Sequence, residues 1–217
     1  MSSTVLIGSS SAIAQSLKEI SSRDFVSFSQ SEGNLDLNGD LSEFDNLENI
    51  NGLVYFPGTI NLKPFSMLKD QDFQNDLDIN FLGAVRVVRK LINKLKESNG
   101  ASVVFISTVA ASIGLPFHAS ISPAKSALEA FSRSLAAEYA NSKISFNIVA
   151  PSLANTPMAE NLLKTDRLIE ASKERNPMKQ IGSPEQIAAA VDFLLDAHKN
   201  WMTGQVIPVD GGMNNLK

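Results

Sequence analysis

The sequence predicts an α/β protein built as one doubly wound parallel sheet over residues 1–217, and three observations lead there. Short apolar runs recur at Thr4 to Ile7, Asp24 to Phe28, Gly52 to Phe56, Ser102 to Ile106, Ser145 to Val149 and Gln205 to Val209. Such runs read as strands buried on both faces. Helix-like stretches separate them, which makes the chain a succession of βαβ units with right-handed crossovers and helices on both sides of the sheet. At 217 residues and 43% hydrophobic composition, with no shift in composition along its length, the chain fits a single core.

The elements run in order. A strand ends at Ile7 and a helix starts straight after Ser9-Ser10-Ser11. Between Phe28 and Gly52, the residues Gly33, Asn34, Asn38 and Gly39 leave little room for a full crossover helix before Leu35-Asp36-Leu37, so this part of the fold is expected to be trimmed. Asp72 to Glu97 and Pro123 to Ala140 have helical periodicity, the latter through Ala124, Leu128, Phe131, Leu135 and Tyr139. The last helix opens on Ser183-Pro184-Glu185-Gln186, a capping box with proline in its first turn. No internal repeat is evident.

Composition narrows the function classes. A net charge of −4 carries no basic footprint, so nucleic acid is not expected as a partner. The absence of cysteine excludes thiol nucleophiles and cysteine metal sites, fits a reducing compartment and favours the cytoplasm; no metal site is expected. Met1 leads directly into a strand-like segment, and the uncharged run from Ala101 to Phe117 is broken by serines, Gly114 and Pro116, so neither a signal peptide nor a membrane span is expected.

The first strand-to-helix turn, Gly8-Ser9-Ser10-Ser11-Ala12-Ile13-Ala14, is placed to hold a pyrophosphate on backbone N–H groups and the helix dipole. An ordinary Ser-capped turn is the alternative. Several further landmarks occur in order: Leu35-Asp36-Leu37, Tyr55-Phe56-Pro57-Gly58, Asp78-Ile79-Asn80, the stretch from Thr108 to Lys125, Ala150-Pro151 through Thr156, and Trp201 to Gly212. Together they resemble the short-chain dehydrogenase/reductase family, and its acyl-carrier-protein ketoreductases in particular. Gly8 is kept from the family's TGxxxGxG turn, while Ile7, Ala12 and Ala14 replace the other landmarks of that turn.

The resemblance implies a Rossmann-like fold and a set of site residues. By it, Gly8, Ser10, Ser11 and Ile13 form the cofactor loop, Asp36 contacts adenine, Gly58 ends a turn whose first three residues are lost, and Pro151 and Thr156 contact the nicotinamide carboxamide. It also puts Asn80, Thr108 and Lys125 at catalytic positions, with Lys125 holding the nicotinamide ribose as well. A helix asparagine, a strand-end threonine and a helix lysine also have ordinary structural explanations. The Tyr of the family's Tyr-x-x-x-Lys pair is replaced by Ile121, and Gly114 and Pro116 agree with this register. Isoleucine exchanges no proton, a loss of roughly 10²–10⁴ in rate unless another group acts. His118 is the nearby residue whose ordinary pKa lies near neutrality, alongside Ser120, Ser122 or water.

Phe28-Ser29-Gln30-Ser31 carries no carboxylate at the end of the second strand, which tilts the cofactor from NAD towards NADP, although no arginine is present there to secure a 2′-phosphate. The resulting expectation is an NAD(P)(H)-dependent oxidoreductase acting on a carbonyl or alcohol substrate by an altered proton route. The alternatives are a non-catalytic nucleotide-binding subunit or sensor, and a structural protein that no longer binds nucleotide. By analogy with the family, a homodimer or homotetramer is expected, or a hetero-oligomer with an active relative.

Overall fold

In the computed structural model, which describes residues 2–196 and 198–216, all six apolar runs are strands of one parallel sheet. They are β1 (Ser3–Ile7), β2 (Phe25–Phe28), β3 (Ile50–Tyr55), β4 (Ala101–Ile106), β5 (Ile144–Pro151) and β6 (Val206–Val209), in the order β2-β1-β3-β4-β5-β6. The winding reverses between β1 and β3, and the carboxyl ends of Ile7, Tyr55, Ile106 and Pro151 all open on the same edge. A ligand crevice belongs at such a reversal.

The sheet is covered by the helices α1 (Ala12–Ile20), α2 (Asp70–Leu77), α3 (Gly83–Lys96), α4 (Ile121–Tyr139), α5 (Asp166–Glu174) and α6 (Pro184–Leu195). Successive strand residues face opposite sides. Leu6, Val54 and Val104 pack with Leu17 of α1 and Ile187 and Val191 of α6. Val5, Leu53, Val103 and Phe105 pack with Val87 and Leu91 of α3 and Leu128 of α4. Each large apolar side chain buried in these layers stabilises the fold by about 1.5–3 kcal/mol, and this fixes the strand ends that carry the site. Ser183 caps α6 as its sequence predicts, accepting from Gln186 N at 3.4 Å while Gln186 Oε1 accepts from Ser183 N at 2.9 Å.

Two regions differ from a simple reading of periodicity. The stretch from Asp72 to Glu97 is not one α-helix: a π-type turn at Asp78–Leu82 separates α2 from α3. Tyr55 explains the break, since its buried hydroxyl donates to Ile79 O at 2.6 Å, and a Cβ on Gly83 would strike that same hydroxyl. The trimmed segment after β2 contains no strand at Leu35-Asp36-Leu37. Asn34 Oδ1 accepts from Ser29 N at 2.7 Å and Asp36 Oδ1 accepts from Asn38 N at 2.9 Å, so side chains take backbone donors that a sheet would need. Leu35 and Leu37 nevertheless bury their side chains in the core with Leu41 and Phe44.

Candidate functional site

A cleft of about 1510 Å³ runs along the carboxyl edge of the sheet, from the β1–α1 turn past Lys125 to Thr156. At its first end Gly8 has φ +77°, and a Cβ there would lie 3.0 Å from Pro57 Cδ, so both conformation and packing select glycine. Ser11 caps α1, accepting from Ala14 N at 3.2 Å, and Ile13 and Ser10 line the cleft beside it. Ser10, Ser29 and Ser31 form a triangle of hydroxyls with each side 2.8 Å long. Glu32 is held close to this wall by a 3.2 Å hydrogen bond from Ser9. Asp36 does not line the cleft; it is exposed and closes its own turn.

At the centre, Gly58 follows β3 and stands between two buried polar groups: a Cβ there would lie 3.2 Å from Asn80 Oδ1 and 3.4 Å from Lys125 Nζ. Asn80, in the π-type turn, is fully buried and does not line the cleft. Its Nδ2 donates to Thr59 Oγ1 and to Asp76 O, both at 2.8 Å, and its Oδ1 accepts from Thr59 N at 3.3 Å. Asn80 therefore shapes the Gly58-Thr59 turn. Thr59 in turn donates to Asp76 Oδ1 at 2.5 Å.

Lys125 sits in the first turns of α4, buried, with Nζ donating to Ile106 O at 2.7 Å. Burial pushes its ammonium down to about 8, and the negative charge of Asp76 acts in the opposite direction. Ile121, one turn earlier, presents an apolar side chain to the same wall. Thr108 lines the cleft at the end of β4 and caps the short turn Val109–Ala111, accepting from Ala110 N at 3.3 Å. Since the cap uses a lone pair, the hydroxyl proton remains available to polarise a carbonyl.

His118 also reaches the cleft. Its Nδ1 lies 2.8 Å from Pro116 O, and because a carbonyl only accepts, Nδ1 carries the proton in the neutral ring and Nε2 is an acceptor. His118 can therefore donate from Nε2 only as the imidazolium. Ser122 is committed to Ala110 O at 2.7 Å, and the buried Ser120 hydroxyl is absent from the cleft wall. At the far end Pro151, Thr156, Met158 and Leu162 line the cleft with Leu168 and Arg175, the last two contributed by α5 and the residue after it.

The structure thus brings Gly8, Ser10, Ser11, Ile13, Gly58, Thr108, His118, Lys125, Pro151 and Thr156 to one cleft, with Asn80 behind its wall and Asp36 outside it. Thr59 and Asp76 escaped sequence reasoning. Asp76 stands one helical turn before Asn80, the only signal of its place, and an acidic residue in an acidic helix reads as solvated.

The family model described as Enoyl-(Acyl carrier protein) reductase matches residues 43–214. The chain belongs to the short-chain dehydrogenase/reductase family. A tropinone reductase homolog of Arabidopsis thaliana is 34% identical over 75% of this chain, and the match spans 62% of that relative's length. The solved structure of a short chain dehydrogenase family protein from Francisella tularensis subsp. tularensis SCHU S4 superposes with a TM-score of 0.88 at 22% identity, covering 100% of both chains. ElxO with NADP bound superposes with a TM-score of 0.85 at 19% identity, again over 100% of both chains. These superpositions establish a shared Rossmann-like fold, and the chain spans less than two thirds of the length of the tropinone reductase homologs it matches.

Proposed function

We propose that the chain is an NAD(P)(H)-dependent oxidoreductase that interconverts a ketone and an alcohol by an altered proton-transfer route. The observation that carries this reading is the single cleft joining the Gly8 turn, Thr108, Lys125 and Thr156. The residues fit a dinucleotide: the Gly8 turn and the N-terminus of α1 suit the pyrophosphate, Lys125 the nicotinamide ribose, and Pro151 and Thr156 the carboxamide. When bound, the nicotinamide supplies or accepts the hydride. Thr108 orients the substrate carbonyl, and His118 as imidazolium gives its Nε2 proton to the oxygen of the reduced carbonyl.

NADP(H) is preferred over NAD(H), because the hydroxyls of Ser10, Ser29 and Ser31 cluster near the end of β2 and can turn from one another to a 2′-phosphate, and Phe28-Ser29-Gln30-Ser31 holds no carboxylate. Tighter binding of NADH than NADPH in calorimetry would reverse that assignment. The substrate region carries Leu115, Phe117, Met158, Leu162 and Leu168, which favours a largely apolar ketone or alcohol. The protein is proposed to act in the cytoplasm as a homodimer or homotetramer, with sedimentation velocity as the check.

Ile121 favours a second reading, a non-catalytic nucleotide-binding subunit or sensor assembled with an active relative. Comparing the protein with Ile121→Tyr for NAD(P)H binding and turnover over a panel of carbonyl substrates separates the two. Parent activity that is lost in Ile121→Tyr supports an altered route through the apolar pocket. A silent parent that gains activity supports the binding subunit. No saturable binding of either nucleotide to folded protein would overturn both.

A further inference from the structure

We propose that Asp76 is the counter-charge that keeps Lys125 in its ammonium form, which makes it a positioning residue for the lysine of the cofactor cleft. Each of these charged groups is poorly served alone. Asp76 is 2% exposed, and while Thr59 donates to its Oδ1, no protein donor among the described residues reaches Oδ2. Lys125 is 5% exposed and donates to one acceptor, the backbone carbonyl of Ile106, though an ammonium carries three protons. A lone buried charge is strongly disfavoured, and an opposite charge nearby offsets part of that cost.

The two groups meet around one node. Asn80 Oδ1 and Lys125 Nζ both face the side of Gly58 where a Cβ would be, and Asn80 Nδ2 reaches Thr59 Oγ1, which reaches Asp76. The side-chain donors run from Asn80 to Thr59 to Asp76, an order that suits a carboxylate acceptor at Asp76. A Cβ at Gly58 would crowd Asn80 Oδ1 at 3.2 Å and touch Lys125 Nζ at 3.4 Å, so glycine leaves this node uncrowded.

Other charged groups near Lys125 are otherwise engaged. Asp78, from the π-type turn, faces Arg86 at 3.9 Å. Glu129, one turn along α4, accepts from Ser107 at 2.6 Å and lies 4.0 Å from Arg133. His118 is tied to Pro116 O, and Arg175 is an exposed cation on the far wall. Burial lowers the Lys125 ammonium to about 8, and among the described residues Asp76 is the charge that holds it up. Neutralising Asp76 therefore moves the loss of the Lys125 proton to lower pH.

The test begins with the cofactor-free protein, so it stands apart from the oxidoreductase reading on which the ligand role of Lys125 rests. The ε-carbon NMR resonance of Lys125, assigned through Lys125→Arg, is followed against pH in the parent, Asp76→Asn, Asp76→Ser and Asp76→Glu. The expected result is a midpoint lowered by about one pH unit in both neutral variants, a tenfold change in the protonation equilibrium, and near the parent's in Asp76→Glu. NADPH affinity should then be weakened about fivefold in Asp76→Asn at pH 8 and about equal to the parent's at pH 6. An unchanged Lys125 midpoint in whichever neutral variant folds overturns the proposal. Failure of the parent to bind NADPH or NADH at any pH overturns the oxidoreductase reading, while the lysine titration still decides the role of Asp76.

Discussion

Lys125 gives one residue opposite pH dependences in folding and in binding. Its ammonium is lowered to about 8 in the folded protein from the ordinary 10.5, so below about 8 both folded and unfolded chains hold the proton and the folded state carries the full desolvation cost. Between about 8 and 10.5 the unfolded chain binds the extra proton, and stability rises with pH by about 3 kcal/mol. With Lys125 in its proposed role at the nicotinamide ribose, nucleotide binding should decline over the same range as the charge is lost. Denaturant unfolding against pH, beside NADPH titration against pH, should show the two curves crossing. Lys125→Met leaves Asp76 buried without its counter-charge, so it should destabilise the protein at pH 7 by about 3–5 kcal/mol and weaken NADPH at least about tenfold. For His118, steady-state reduction and its pH profile decide: His118→Ala should lower turnover about 10²-fold or more and change the profile, and an unchanged profile would remove His118 from the mechanism. At this scale the sequence was informative where a position demands one residue type. Gly8, Lys125 and Thr156 stand in motifs of the family and line one cleft, whereas Thr59 and Asp76 gain meaning only through the hydrogen bonds that join them to Asn80.

Elements were legible from periodicity and caps, down to the Ser183–Gln186 box of α6. The break between α2 and α3 was not, because the pattern in Asp72 to Glu97 is helical throughout and its cause lies on another strand. Tyr55, whose phenol is pushed up by burial, spends its hydroxyl on Ile79 O. Tyr55→Phe should therefore leave that carbonyl unpaired and cost about 1–3 kcal/mol in denaturant unfolding, with a further loss of NADPH affinity because Asn80 belongs to the same turn. Ser183→Ala is a contrasting case: it should cost about 1 kcal/mol in denaturant unfolding through the lost cap alone.

For the whole molecule, alternation of strands and helices was enough to anticipate one α/β layer stack, and strand order places the cleft at the reversal between β1 and β3. The adenosine end was harder to read. Leu35-Asp36-Leu37 matches a family landmark in sequence, yet the surrounding Asn34, Asn38 and Gly39 favour side-chain-to-backbone turns over strand pairing. Only the two leucines, pointing inward, retain a core role. Leu37→Ala should accordingly destabilise the fold by about 2–5 kcal/mol, measured by chemical unfolding, despite lying in a segment without a regular element.

That trimmed segment also makes β2, four residues long, an outer strand of the sheet. An edge strand leaves every second amide without a sheet partner, so local opening needs less free energy there than in β3 or β4. Amide hydrogen exchange should consequently be slow in the inner strands β1, β3, β4 and β5 and faster in the two outer strands, β2 and β6. Nucleotide binding would then act as a clasp on the looser margin, with the largest gain in protection between Ser29 and Asn38 rather than around Lys125.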